Sequence, residues 1–201
     1  MTRAEKGSDG IKRCSWANTA PEFPHYHDNE WGVPVTDDRV LFEKLCLESF
    51  QSGLSWRTIL VKRENFRKAF KSFEISKVSR FSEKNILKLL QDEGIVRHRG
   101  KIEAVINNAQ KALELIKEKG SLCAYFWSFE PKERAPKKPQ SISKSPLSEQ
   151  ISKDLKKRGW KFVGPTTVYS FMQAMGMIND HFKDCHTWKK VEDVRKKIKI
   201  G

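Results

Sequence analysis

Two cysteine–histidine pairs lie near opposite ends of this chain, Cys14 with His27 and His181 with Cys185. Two Cys and two His offer four soft or borderline donors, which fill a tetrahedral zinc shell and leave no position open for water or substrate. A metal held by all four is structural, one ion per chain, and it clasps the two end segments into one lobe. The second pair is the sharper half, because residues four apart share one face of a helical turn. Spacing alone leaves the alternative of four unrelated core or surface residues, with His25 and His186 as substitute imidazoles.

The chain carries 39 Lys and Arg against 25 Asp and Glu, a formal charge of +14, which points to a polyanionic partner. Charge does not separate DNA from RNA, and a solvated basic surface is the plain alternative. Six Trp and twelve Phe supply enough apolar mass for one large or two small lobes. Four cysteines, no apolar run long enough to span a membrane and no charged-then-apolar leader fit reduced thiols in an intracellular compartment. That means the cytoplasm or, in a bacterium, the nucleoid.

Apolar residues recur at helical spacing through the middle of the chain. Val40, Leu41, Leu45 and Cys46 form one stripe, Phe66, Phe70 and Phe73 a second, and Ile86, Leu87 and Leu90 a third. Ser82 caps a helix over residues 83–91 that Gly94 ends, and Ile102, Val105, Ile106, Ala109, Leu113 and Ile116 stripe a long helix closed near Gly120. Four prolines in residues 131–146 mark a loop before a helix beginning at Ser145-Pro146 and stopping at Gly159. Period-two patterns are scarce, so the chain reads as all-α. Residues 1–12, polar with Gly and Ser, and residues 189–201, with the run Arg195-Lys196-Lys197-Ile198-Lys199, read as flexible tails.

Between the third stripe and the long helix, Gly94-Ile95-Val96-Arg97-His98-Arg99-Gly100-Lys101 has glycine near both ends and three cations. Such a hairpin lets backbone amides approach a phosphate, and the helix N-terminus behind it favours an anion. Gly94, Arg97, Arg99, Gly100 and Lys101 are the candidate DNA contacts. They position a duplex without reading its sequence. An ordinary basic interhelical turn is the alternative.

Longer motifs decide between these readings. Arg13-Cys14-Ser15-Trp16, Tyr26-His27-Asp28-Asn29-Glu30-Trp31-Gly32-Val33-Pro34, Leu47-Glu48 and Gln51-Ser52-Gly53-Leu54-Ser55-Trp56 follow one another in order. Lys156-Lys157-Arg158-Gly159-Trp160-Lys161-Phe162-Val163-Gly164, Tyr169-Ser170-Phe171-Met172-Gln173-Ala174 and Asn179-Asp180-His181 come after them. The set resembles the DNA 3-methyladenine glycosylase I family from residue 13 to residue 185. The resemblance implies a helix-hairpin-helix glycosylase fold over residues 13–188, with a zinc-clasped lobe formed by the N- and C-terminal segments. The family's zinc ligands fall on Cys14, His27, His181 and Cys185.

It also implies a monofunctional enzyme that flips 3-methyladenine out of alkylated double-stranded DNA and hydrolyses its N-glycosidic bond, without a lyase step, as a monomer. Tyr26 and Trp56 are the candidate stacking partners, Trp16 a pocket wall, and Trp31 either a wall or core. Glu48 falls where the family has its base-reading carboxylate; it sits in an apolar helical stretch where an unpaired carboxylate is costly to bury, so it is the candidate catalytic residue facing a cavity. Leu54 is either a wedge in the gap left by the flipped nucleotide or a buried hydrophobe. Many helix-hairpin-helix glycosylases carry a catalytic Asp downstream of the hairpin, yet no Asp occurs between Gly100 and Asp154. The chain departs from the family at Phe23, where a phenol can occur, and at His25. A noncatalytic DNA-damage module and a zinc-supported RNA-binding domain are the two readings from other classes.

Overall fold

The computed structural model describes residues 3–198. It is mostly helical: most of the ten α-helices among the described residues pack around one large apolar core, and a short β-hairpin flanks a second, smaller cluster. The hairpin pairs β1 (Ala4–Lys6) with β2 (Lys12–Cys14), antiparallel, with Ala4 opposite Cys14. After a 3-10 turn come α1 (Phe23–Asn29), α2 (Asp38–Gln51), α3 (Trp56–Ala69), α4 (Ile75–Val78) and α5 (Glu83–Gln91). The second half contains α6 (Arg99–Lys119), α7 (Leu122–Trp127), α8 (Pro146–Lys157), α9 (Pro165–Ala174) and α10 (His186–Lys197).

The axis of the fold is α2, packed against α3, α6, α7 and α9. Asp37 caps it, accepting from the Val40 N–H at 2.8 Å. Leu41, Phe42, Leu45, Cys46, Leu47 and Phe50 are all buried, so apolar side chains occupy every side of this helix, as in a helix enclosed by a core. Its Asp38 also accepts the Leu122 and Cys123 N–H groups at 3.0 and 2.8 Å, which fixes the start of α7 against the start of α2. The Ser82 cap stands, with a reciprocal box to Asn85, and the helix it opens ends at Gln91, short of Gly94. The long helix closes at Gly120 and begins at Arg99, so Arg99, Gly100 and Lys101 form its first turn instead of lying in the hairpin.

Both ends differ from the tails that the composition suggested. Residues 4–6 are a paired strand whose Ala4 packs against Cys14 and Tyr26 in the smaller cluster. At the other end α10 buries Val191, and Arg195 pairs with Glu130 while its guanidinium lies 4.9 Å from the Trp127 ring centroid. Polar composition hid these contacts because a handful of apolar anchors suffices to seat each segment. The end of the basic run, from Lys199 onward, lies outside the described residues.

The smaller cluster is joined to the core where the segment after α1 crosses the end of α9. Val35 N–H donates to Met175 O at 3.0 Å, and Trp127 Nε1 donates to Val35 O at 2.8 Å. The crossing is close because Gly176 has no side chain: a Cβ there would stand 2.5 Å from Pro34 N and 2.7 Å from Gly32 O. Its φ of +78° is also a left-handed value that disfavours other residues. Both neighbours are backbone and cannot step aside. Gly176→Ala is therefore expected to cost about 2–4 kcal/mol, the scale of overpacking added to backbone strain, measurable by urea denaturation. A loss under about 0.5 kcal/mol would reject this account of the crossing.

Candidate active site and metal centre

Two buried carboxylates project from α2 and meet different fates. Glu43 is held by Arg67 through Nε and Nη2 at 2.9 and 2.6 Å. Glu48, 6% exposed, has no such partner and stands on the wall of a cavity of about 340 Å³. Burial pushes its carboxyl up to about 8, with the charge of Lys44 pulling the other way and no hydrogen bond helping. The cavity wall places Tyr26, Trp16, Trp31 and Trp56 around this carboxylate, so the base-binding candidates converge on one space with Glu48. The Tyr26 and Trp56 rings lie 5.2 Å apart at 42°, and Trp16 meets Trp31 edge-on at 5.2 Å. Trp31 does both things proposed for it: it lines the cavity and belongs to the small apolar cluster.

Six further lining residues bring polar reach or shape. Gln51 stands one turn beyond Glu48 on α2, while Ser170 and Gln173 share a face of α9. Their signal was a polar pair at i, i+3 in an otherwise apolar helical run. Gln140 and Ile142 come from the proline-rich loop, whose function the sequence left open. Gln140 sits at a φ of +56° and is pinned by buried Asp180, its N–H donating to Oδ1 and its Nε2 to the Asp180 carbonyl, each at 3.0 Å. No sequence pattern announces that loop as a roof, because its contact is with a residue 40 positions away. Phe23 also lines the cavity, where it gives an aromatic face without a hydroxyl.

Beside the cavity, Cys14, His27, His181 and Cys185 bring their donor atoms within 4.8 Å of one another, all four buried. Cys185 Sγ lies 3.5 Å from His27 Nε2 and 3.7 Å from His181 Nδ1, and Cys14 Sγ lies 3.7 Å from His181 Nδ1. Those separations match the edge of about 3.6 Å expected between sulfur and nitrogen on a tetrahedral zinc with bonds of about 2.3 and 2.1 Å. The other ring nitrogens are occupied, which turns the facing ones inward: His27 Nδ1 meets Asp28 Oδ1 at 2.7 Å and His181 Nε2 meets Trp31 O at 3.0 Å. Arg13, itself buried, holds Asp28 through Nε and Nη2. His186 is part of this outer ring, with Nε2 2.8 Å from Asp28, and His25 contacts only Asn29, so neither substitutes in the central set. The cluster could hold a metal ion.

The candidate DNA contacts divide. Gly94 and Gly100 flank the turn as the sequence suggested, with Gly94 N–H donating to Asp92 Oδ1 at 2.8 Å. Arg97 and Arg99 are half-exposed and paired with Glu93, Glu83 and Glu103, surface pairs weak enough to exchange for a phosphate. Lys101 is a correction to the phosphate reading. It is 7% exposed, and its Nζ donates to Phe50 O at 2.8 Å and to Ser52 O, closing off the end of α2. Its ammonium braces the turn that carries Gly53 and Leu54 instead of facing solvent. Leu54 itself is 41% exposed at the tip of that turn, so it is not a buried hydrophobe.

The raised Glu48 carboxyl fixes a pH dependence of stability. The fold keeps this proton up to about pH 8, whereas the unfolded chain releases it in the ordinary carboxylate range. The folded form therefore binds the extra proton between those limits, and the stability contributed by the neutral group is lost as pH rises through that window. Glu48→Gln removes the liability. The variant is expected to match the wild type near pH 5 and to become progressively more stable above it, by up to about 1.4 kcal/mol per pH unit. Melting curves that run parallel from pH 5 to 9 would reject a buried, unpaired carboxyl.

The comparisons with known proteins agree with this geometry. Residues 16–188 match a family model described as methyladenine glycosylase. DNA-3-methyladenine glycosylase 1 of Escherichia coli strain K12 is 46% identical over 179 residues, covering 87% of this chain and 96% of that protein. A solved structure concerning 3-methyladenine recognition by 3-methyladenine DNA glycosylase I from Staphylococcus aureus is 39% identical, with a TM-score of 0.83 over 87% of this chain and 95% of that one. A variant of 3-methyladenine DNA glycosylase I solved in complex with 3-methyladenine is 38% identical, again with a TM-score of 0.83, over 87% of this chain and 96% of that one.

Proposed function

The chain belongs to the methyladenine glycosylase family, and from that premise we propose that it excises 3-methyladenine from alkylated double-stranded DNA by hydrolysing the N-glycosidic bond. The fold is then a helix-hairpin-helix glycosylase whose end segments are clasped by one structural zinc. The observation that carries the reading is the unpaired Glu48 carboxylate on the wall of an aromatic cavity. A relative solved with 3-methyladenine bound supports the choice of base.

The duplex is held at the turn between α5 and α6, where Arg97, Arg99 and the backbone around Gly94 and Gly100 meet phosphates. Leu54, exposed on its braced turn, fills the space left by the extruded nucleotide. The base enters the cavity, whose volume suits a small ligand, and lies against Tyr26 and Trp56 with Trp16 and Trp31 as walls. Stacking contributes about 1–3 kcal/mol per base, and a cationic ring gains further from those faces. Glu48 accepts from the exocyclic amine and attracts the positive purine in a medium that screens poorly. Unmethylated adenine is neutral and gains no such attraction.

Methylation at N3 also supplies the leaving group. The bond from C1′ to the base breaks with its electron pair going to the cationic purine, which departs neutral; a water oxygen bonds to C1′ and yields its proton to solvent. Free base and an abasic site result, with the backbone intact and no lyase step. Little general acid help is required, which fits the engagement of Asp154 with Tyr125 and Arg158 at 2.7 Å each. Incubating the protein with methylated duplex and chromatographing the supernatant should reveal free 3-methyladenine, and Glu48→Gln should slow single-turnover release by about 10- to 100-fold, as for the loss of a charged partner. Binding without release would support a noncatalytic module instead.

Zinc suits the Cys and His donors of the cluster and supplies a cross-link there, with no part in bond breaking. Metal analysis should find about one zinc per chain, and Cys185→Ser or chelation should lower the melting temperature sharply, since such sites contribute roughly 10–16 kcal/mol of apparent binding free energy in small peptides. Zinc-free protein with unchanged melting would overturn the assignment. The protein works as a monomer inside the cell; its four cysteines are free, which suits a reducing compartment, and no described helix is long and apolar enough to cross a membrane.

A further inference from the structure

Behind the base cavity lies a second, smaller space of about 40 Å³, large enough for one or two waters. Tyr26, Glu48 and Trp56 border both spaces and so form the wall between them. Trp56 Nε1 is buried in this wall without a hydrogen-bond partner among the described residues. The remaining lining of the inner chamber is strongly charged: Glu30 and Glu43 face Lys44, Arg63 and Arg67.

The charges sort into pairs. Arg63 grips Glu30 with Nη1 and Nη2 at 2.5 and 2.9 Å, and Arg67 grips Glu43. Arg67 also meets the exposed Glu64 with Nη1, and Arg39 stands 3.7 Å from Glu43, so each guanidinium is spent on carboxylates other than Glu48. That leaves one acid and one base bordering the chamber, Glu48 and Lys44, four residues apart on the same face of α2. A base followed by an acid at this spacing contributes little on a helix surface. Here Glu48 is buried and Lys44 half-buried beside it, so the charge of Lys44 is screened less than on an open surface.

We propose that Lys44 is a positioning residue for the base-reading carboxylate: from the chamber side of the shared wall its ammonium supplies the counter-charge that opposes protonation of Glu48 and eases its ionisation as a cationic base arrives. The inference rests on the reading that Glu48 faces the flipped base. Burial drives Glu48 toward its neutral form and Lys44 is the charge opposing that drive; burial likewise lowers Lys44, with Glu30 and Glu48 holding its proton on. The other groups around the pair do not replace it. Tyr26 from α1 has a phenol pushed well above its ordinary value by burial and stays neutral, Glu30, Glu43, Arg63 and Arg67 are mutually paired, and α9 offers Ala174, Ser170 and Gln173, which carry no charge. Without Lys44 the carboxyl keeps its proton to higher pH, and an incoming cationic purine must first displace it.

The test is the pH profile of single-turnover 3-methyladenine release from methylated duplex between pH 5.5 and 9.5, for wild type, Lys44→Met, Lys44→Arg and Glu48→Gln. The acidic limb, where activity falls as Glu48 takes up a proton, should move to higher pH by about one unit in Lys44→Met. Lys44→Arg, which restores the charge, should keep the limb near its wild-type position. Coincident limbs in wild type and Lys44→Met, with or without a lower melting temperature in the variant, would overturn the proposal and leave Lys44 a packing residue. If Glu48→Gln is impaired and has lost the limb while Lys44→Met is unshifted, only the role of Lys44 fails. Should Glu48→Gln retain both the wild-type rate and the wild-type limb, the reading of Glu48 itself falls, and the proposal with it.

Discussion

Consecutive residues of one short helix serve two different sites, and most of the structure depends on that adjacency. On α1, Tyr26 faces the cavity and His27 faces the sulfur–nitrogen cluster. This seven-residue helix has no side-chain cap at its start and is too short to hold itself in water. Its position comes from outside: Cys185 meets His27, Arg13 and His186 converge on Asp28, Lys190 donates to the Asp28 carbonyl, and Arg63 holds Glu30. The N-terminal hairpin and the C-terminal helix thus help to aim an aromatic ring on the cavity wall.

The second constraint is dielectric. An enclosed helix with two carboxylates must neutralise, pair or use each one. Arg67 holds Glu43 through Oε1 and Arg39 stands 3.7 Å from Oε2, so that carboxylate is paired, whereas Glu48 is left with a lysine one turn away and a cavity in front of it. An unpaired buried carboxylate is a standing cost in the free protein. In the proposed function a cationic purine would remove that cost on binding and a neutral one would not, so the same burial that destabilises the fold would supply the discrimination. Stability and selectivity are in opposition at this one side chain.

Local patterns were legible in the sequence and long-range ones only in part. Ser82 and Gly120 mark helix ends because caps and left-handed stops depend on neighbouring atoms, and the structure uses both as read. Glu48 was visible as a charge in an apolar stripe, and the cysteine–histidine set as donor chemistry. Lys101 was misread because a cation beside two glycines looks the same whether its ammonium meets a phosphate or the carbonyls of Phe50 and Ser52, a choice made by a chain segment 49 to 51 residues away. The two ends were misread as tails since mean polarity does not register one alanine in a strand or one valine in a helix. The roof of the cavity lay in a segment whose prolines and lysines mark it as a loop and say nothing about what it covers.

That roof links the two sites once more. Asp180, buried and immediately before His181, accepts from the Gln140 backbone and from Gln173 Nε2, the latter at 2.5 Å. A single carboxylate therefore ties the proline-rich loop to α9 at the mouth of the cavity, next to a residue whose imidazole points into the cysteine–histidine cluster. Gln140 adopts a left-handed backbone value that costs energy unless its surroundings impose it, and Asp180 imposes it through two contacts, one from its side chain and one from its carbonyl. His181 and the anchor of the loop are thus joined by one peptide bond. Order in the cluster is in this way carried to the cavity along two routes, through Tyr26 on one wall and through Gln140 and Ile142 above it.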